Sequence, residues 1–419
     1  MATSLSKPQI AWAFYDWANS AFATVVMAGF FPIFFKQYWN VDVAATDSTF
    51  RLGLANSLAS LVIVISAPIL GAIADQGNSR KGFLVAFALL GVVSTAGLYL
   101  VGQGQWQYAM ALYILGTIGF MGGNVFYDAL LTDVAKPAET DRISALGFAV
   151  GYLGGGLAFA LCVWMSLMPE FFGLADASEA VRLSFLIVAF WWVVFTLPLL
   201  RIVQQRALVV REHDGRRAVR DGFRQLIDTF RHIRQYKPLM LFLLAYWIYI
   251  DGVDTIVRMA VDYGLSLGFP SESLIVALLI TQFVGFPAAL AFGYLGEKIG
   301  TKNGILLGLS VYAMITVWGY FLDTVWEFYA LAIAIGLVQG GVQALSRSLY
   351  ARMIPQDRAA EFFGFYNMLG KFAAVFGPIL MGTVAVITGD ARLSILSVLV
   401  FFILGGVLLY FVKEERQPV

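Results

Sequence analysis

Apolar stretches long enough to cross a bilayer recur from one end of this chain to the other, and they constrain its fold more than any other feature. A spanning helix needs roughly 20 predominantly apolar residues. Runs of that kind lie near 10–35, 52–74, 82–102, 107–131, 143–168, 183–203, 239–262, 273–296, 303–322, 327–350, 361–387 and 392–412. They predict an all-α membrane protein of twelve transmembrane helices. Composition agrees, with 59% of residues hydrophobic and only 13% charged, against about 25% charged in an ordinary soluble domain. No soluble core buries that much apolar surface, so part of the solvent must be lipid. The N-terminal lead runs straight into a spanning segment without a cleavage site, so that segment is expected to be retained.

Basic residues in the loops set an orientation. A cytoplasmic N-terminus places Arg80, Lys81, Lys136, Arg142, Lys298, Lys302, Arg352, Arg358 and Lys413 inside and leaves Lys36, Arg51, Arg182 and Arg392 outside. Both termini are therefore expected in the cytoplasm. The longest loop divides the spans six and six, giving an N-terminal half (1–203), a linker (204–238) and a C-terminal half (239–419). Within the linker, Val219, Phe223, Leu226, Ile227, Phe230 and Ile233 share one helical face, and Arg220, Arg224, Arg231 and Arg234 lie elsewhere around it. This pattern predicts a basic amphipathic helix on the cytoplasmic surface, serving as a tether or a regulatory latch.

The halves repeat each other. "AFYDWANS" (13–20) lies on "IYIDGVDT" (248–255), pairing Asp16 with Asp251. "GAIADQGNSRK" (71–81) lies on "GYLGEKIGTKN" (293–303), pairing Asp75 with Glu297. "GGNVFYDALLTDVAKP" (122–137) lies on "GGVQALSRSLYARMIP" (340–355). A parallel six-plus-six repeat is the layout of a rocking transporter with its site between the halves.

Here the chain resembles the major facilitator superfamily. The superfamily's loop motif, Gly-x-x-x-Asp/Glu-Arg/Lys-x-Gly-x-Lys/Arg, is matched by Gly293, Glu297, Lys298, Gly300 and Lys302. The first copy keeps Gly71, Asp75, Arg80 and Lys81 but has Gln76 and Asn78 where a basic residue and a glycine are usual. The motif sets an acid at a helix end against basic residues in a tight turn, which implies a conformational latch. "YDWANSAF", "YDALLTDVA" with "RISALGFAVGYLGGG", and "QGGVQALSRSLYARMIP" are similar to the autophagy-related vacuole-effluxer branch, whose yeast founder is associated with amino-acid efflux from the vacuole. The short loops resemble those of bacterial members, which implies the bacterial inner membrane.

Charges at membrane depth fall on helix 1 (Asp16), helix 4 (Asp128), helix 7 (Asp251, Asp254, Arg258), helix 10 (Arg347) and helix 11 (Lys371), and helices 3, 6, 9 and 12 carry none. The resemblance implies that helices 1, 4, 7 and 10 line a central cavity. Polar residues also form stripes at i, i+3, i+4 spacing: Asp16, Asn19, Ser20 and Thr24; Asn124, Tyr127 and Asp128; Asp251, Asp254, Thr255 and Arg258; Gln339, Gln343, Ser346, Arg347 and Tyr350; Asn367 and Lys371. Facing lipid, the three charges of helix 7 alone would cost roughly 8–10 kcal/mol. Facing a wet cavity, they lose most of that penalty.

These stripes give expected roles. Lys371, one turn from Asn367, holds the anionic group of a small zwitterionic solute. Asn19, Asp251, Gln339 and Gln343 complete that site. Asp16, or Asp251 as its repeat counterpart, carries a coupling proton, because no cation lies one turn away on helix 1. Asp128 and Arg347 form a gate, with Asp75, Arg80, Glu297, Lys298 and Lys302 as latches. Asp254 and Arg258 neutralise each other at i, i+4. Gly147, Gly151 and Gly155 on helix 5, and Gly377-Pro378 on helix 11, are packing positions. Helix 5 lacks proline, so the superfamily's antiporter motif is not matched.

Other classes are disfavoured. His213 and His232 both lie in the central loop, and HExxH and GxxxxGK[ST] are missing, which removes the zinc-hydrolase and ATP-driven signatures. Cys162 alone supports neither a disulfide framework nor a metal site. A net charge of +1 gives no field for nucleic acid. No cofactor or metal is expected. The expected partners are a small solute, the bilayer and a proton, and the chain is expected to be a monomer. A transport-inactive sensor on the same fold remains the competing reading.

Overall fold

A computed structural model describes residues 5–41, 45–205 and 237–413, together with Arg220, Arg224, Gln225, Ile227 to Thr229 and Arg231 of the central loop. For some helical residues, Lys371 to Val375 among them, only the backbone is described. The regular structure described is all helical. In chain order the long helices are α1 (Lys7–Trp39), α2 (Ala45–Gln76), α3 (Arg80–Gly97), α4 (Trp106–Val134), α5 (Thr140–Leu167), α6 (Ala177–Ile202), α7 (Lys237–Ser266), α8 (Ser271–Ile299), α9 (Thr301–Tyr320), α10 (Val325–Met353), α11 (Ala359–Thr388) and α12, which runs as Ala391–Ser397 and Leu399–Phe411. Among the described residues, eleven helices are long and apolar enough to cross a membrane, and α11 adds the apolar stretch Phe376–Thr388. The expected twelve spans are present.

Local chemistry sets many of the ends. Ser6 and Gln9 form a capping box at the start of α1, with Pro8 in the first turn. Thr324 and Glu327 do the same for α10, satisfying orphan N–H groups at each start. Gly300 (φ 90°) ends α8 and Gly389 (φ 67°) ends α11, in backbone conformations that side chains resist. Beyond its polar stripe, α1 widens into π-helical turns over Phe22–Phe30.

The helices form two six-helix halves. The strongest contacts between halves pair α2 with α11, α5 with α8, and α5 with α10. The principal contacts of α3, α6, α9 and α12 stay within their own halves. That arrangement explains why these four carry no charge at membrane depth.

Gln9 at the start of α1, Val412 after α12 and Gln225 of the central loop contact the Val134, Lys302 and Gln76 ends of their neighbouring helices, which mark one end of the bundle, called here the terminal end. Close approaches between halves lie toward it. A Cβ on Gly364 of α11 would stand 2.7 Å from the Ala67 carbonyl oxygen of α2. One on Gly293 of α8 would stand 2.5 Å from the Ala145 side chain of α5. The repeat-related helices α1 and α7 are not among the packed pairs. The halves are thus closed on each other at the terminal end.

Of the expected amphipathic face of the central loop, Val219, Phe223, Leu226, Phe230 and Ile233 lie outside the described residues. Ile227 is exposed. Gln225 and Thr229 are buried.

Candidate functional site

The α10 stripe delivers Arg347 into the other half. The residue is 3% exposed. Its Nη1 lies 3.0 Å from Asp128 Oδ1 on α4 and 3.9 Å from Asp16 Oδ2 on α1. Its Nε donates to Ser144 Oγ and its Nη2 to the Ser144 carbonyl on α5, both at 2.9 Å. The guanidinium lies 4.3 Å from the Phe148 ring centroid, 5.0 Å from that of Trp12 and 5.3 Å from that of Tyr127. A planar fork with five donors suits such a setting, because carboxylates meet its edge and aromatic faces meet its plane.

The two carboxylates are held from several sides. Tyr127 donates to Asp16 Oδ2 at 3.3 Å, and Ser20 donates to Asp16 Oδ1 at 3.4 Å. Asn367 of α11 donates to Asp128 Oδ2 at 3.1 Å and to the Phe363 carbonyl. Trp12 stacks on Tyr127 with centroids 4.4 Å apart and donates from Nε1 to the Tyr127 carbonyl. Three N-half helices therefore meet at one C-half guanidinium, and Asn367 brings α11 to the cluster through Asp128.

Asn19 donates to Asn124 Oδ1 at 2.6 Å, tying α1 to α4. Gln343 and Gln339 are half-buried on α10, one and two turns from Arg347 toward the far end. Asp251 does not join the cluster. It is 2% exposed and accepts from the Gly377 backbone N–H of α11 at 2.8 Å and from Thr255 at 3.4 Å. The repeat therefore pairs Asp251 with Asp16 in sequence but not in surroundings. Asp254 and Arg258 do not form the ion pair their spacing invites among the described residues, and Arg258 is exposed. The Lys371 side chain lies outside the described residues, so its expected contact with Asn367 is not placed.

The latch motifs diverge between halves. Asp75 accepts from Arg80 Nε at 2.7 Å, and from the Ala360 and Glu361 backbone N–H groups of α11 at 3.2 and 2.8 Å. A carboxylate from one half thus caps a helix of the other, where orphan N–H groups and the helix dipole favour it. Arg80 also donates to the Gln356 carbonyl at 3.0 Å and reaches Asp133 at 3.4 Å. The second copy fits the superfamily pattern better but forms no such bridge. Glu297 is exposed, and Lys298 lies over the Tyr294 ring of its own helix.

Lys302 donates to the Tyr410 and Val412 carbonyls at 3.2 and 3.0 Å. Its structural counterpart is Lys81, which donates to the Leu200 and Val203 carbonyls at 2.9 and 2.7 Å. Lys81 follows Asp75 by six residues and Lys302 follows Glu297 by five. The repeat alignment therefore needs a one-residue gap there, which pairs Lys302 with Lys81 rather than Arg80.

Sequence reasoning missed Asp141 of α5. This buried carboxylate takes up the bridging position Glu297 leaves empty, accepting from Thr301 Oγ1 at 2.7 Å and from Ser348, with Arg352 Nη2 at 3.2 Å. An acid in the first turn of a helix reads as ordinary dipole compensation, and only the i, i+4 pair Ser348 and Arg352 on α10 hinted at a partner. Ser144, which anchors Arg347 and donates to the Ala344 carbonyl at 2.7 Å, was missed for a similar reason. The central loop was also underestimated. Gln225 bridges Gln76 of α2 and Glu361 of α11 at the latch.

The chain matches the family model described as "Vacuole effluxer Atg22 like" over residues 6–418. It is 39% identical over 419 residues to the "Uncharacterized MFS-type transporter YxiO" of Bacillus subtilis (strain 168), covering 100% of this chain and 97% of that one. It is 24% identical over 405 residues to "Autophagy-related protein 22" of Eremothecium gossypii, covering 89% and 78%. Among solved structures it is similar to the proton:xylose symporter XylE, at TM-score 0.74 and 12% identity over 97% and 95% of the two chains. It is also similar to FucP in the outward conformation, at TM-score 0.72 and 12% identity over 97% and 98%. The solved structures share its fold, the family match runs nearly end to end, and on those grounds the chain is a multi-pass membrane protein of the major facilitator fold belonging to the Atg22-like vacuole-effluxer family.

Proposed function

We propose that this protein is a secondary active transporter that carries a small zwitterionic, amino-acid-like solute by alternating access, coupled to protons. The observation that carries this reading is Arg347, a C-half cation held by Asp128 and Asp16 of the N-half. The guanidinium ties two N-half carboxylates to the C-half, and Asp16 makes the longer of the two contacts. A proton or the solute's ammonium arriving at Asp16 competes with that contact and so bears on how the halves meet. The relatives' descriptions as transporters and effluxers support the class of activity.

In this mechanism the halves 1–203 and 239–419 rock about the solute, tethered by 204–238. Closure at the terminal end, assigned to the cytoplasm by its basic loops, leaves the solute to enter from the other side. The solute's carboxylate is met by Lys371 and Asn367, with Gln339 and Gln343 above Arg347. Its amine is met near Asp16 and Asn19. Parting of Asp128 from Arg347, and of Asp75 and Arg80 from α11, opens the cytoplasmic path. Glu297, Lys298 and Lys302 then act within the C-half rather than across the halves.

The test is uptake of labelled amino-acid pools into proteoliposomes of the purified monomer. A pH gradient should drive accumulation that collapses when the gradient is dissipated. Uptake of no pool under either condition overturns the substrate class. Accumulation indifferent to the gradient overturns proton coupling alone.

A further inference from the structure

Between α7, α11 and α12 lies a groove of about 450 Å³, lined by Trp247, Phe376, Ile379, Leu380 and Phe401, with Asp251 at its floor. Every lining residue belongs to the C-half, and α12 packs chiefly on α7 and α9. The groove therefore opens on the outer surface of the bundle, not between the halves. Phe376 and Ile379, at its rim, are 51% and 59% exposed. Ligand sites are typically concave, mostly apolar and furnished with a few polar groups, and this groove has that make-up.

Two polar groups are left over in it. Asp251 Oδ1 takes the Gly377 and Thr255 hydrogen bonds, but Oδ2 has no partner and no cation is paired with the carboxylate among the described residues. Trp247 Nε1 is buried and also lacks a partner. A carboxylate at the floor of an apolar groove is costly unless something complements it. Depth limits what that is. Asp251 lies fourteen residues into α7, about 21 Å along the axis, near the middle of a hydrocarbon core roughly 30 Å thick. Phospholipid headgroups stay at the interface, whereas a membrane-dissolved amine reaches this depth.

We propose that this groove is a lateral binding site for a lipophilic amine. Its apolar body packs on Phe376, Ile379, Leu380 and Phe401. Its ammonium binds Asp251 Oδ2 beside the Trp247 ring, where carboxylate and aromatic face both favour a cation. An oxygen next to the amine accepts from Trp247 Nε1. The site is separate from the Arg347 cluster, and it stands or falls independently of the transported solute.

An alkylamine brominated partway along its chain, where the halogen reaches the Trp247 ring while the ammonium sits on Asp251, tests it, because bromine quenches tryptophan on contact. The probe is titrated into purified full-length protein in nanodiscs, with the alcohol brominated at the same carbon as the partition control. The amine should quench saturably, with an apparent affinity at least about tenfold above the alcohol's, as expected for one charge-assisted contact. The saturable part should vanish in Trp247→Phe, weaken about tenfold in Asp251→Asn, and be blocked by Leu380→Phe, which fills the groove without adding a fluorophore. Equal, unsaturable quenching by amine and alcohol in the wild type overturns the proposal, as does saturable quenching unchanged in both Asp251→Asn and Leu380→Phe. The wild-type comparison needs no variant to fold.

Discussion

Arg347 meets two carboxylates, a serine and three aromatic rings of the other half. Removing one partner of a buried ion pair costs about 3–5 kcal/mol, because the other charge is left uncompensated. Arg347→Asp or Asp128→Arg alone should therefore lower initial uptake by about a hundredfold or more, the rate equivalent of that energy. Reversing both together should restore much of it, and a double variant no better than the singles would show that the two do not act as a pair. Asp16 makes the longer contact, 3.9 Å against 3.0 Å, so it is the carboxylate freer to change partners. Asp16→Asn should abolish gradient-driven accumulation while leaving solute exchange across equilibrated vesicles intact; wild-type accumulation with wild-type pH dependence would remove it from coupling. Lys371→Ala should raise the solute Kd without affecting insertion. Unchanged affinity in purified protein would remove Lys371 from the site.

At the scale of helices, small residues let the halves meet. Gly364 leaves no space beside Ala67 and Pro68 of α2, and Gly71 lies directly against the Ala360 carbonyl of α11. These contacts are to backbone, which cannot swing away as a side chain can. Gly364→Val should therefore hold α2 and α11 apart at the terminal end. The expected readout is faster labelling of a cysteine introduced at Ala67, which is buried in the closed form. Labelling no faster than in the glycine-containing protein would mean that the α2–α11 contact does not control closure.

For the whole molecule, two further carboxylates bridge the halves in different settings. Asp75 caps α11, and Asp141 collects Thr301, Ser348 and Arg352. Hydrogen bonds to charged groups contribute about 1.5–3 kcal/mol each. Losing either set should shift the open-to-closed ratio at least about tenfold. Spin labels at Lys136 and Lys298, exposed positions on opposite halves at the terminal end, should report a longer distance in Asp75→Asn and in Asp141→Asn. A distribution unchanged in both would show that neither acts as a latch. The sequence by itself determined the twelve spans, the six-plus-six division and the helices free of buried charge, because hydropathy and helical period act locally along each segment. It did not determine which stripes meet. Only the tertiary structure decided that Arg347 reaches Asp16 and Asp128, that Asp251 turns to α11, and that Asp141 rather than Glu297 bridges the halves. Those outcomes depend on how helices far apart in the chain cross and rotate against one another, and no local pattern records a crossing.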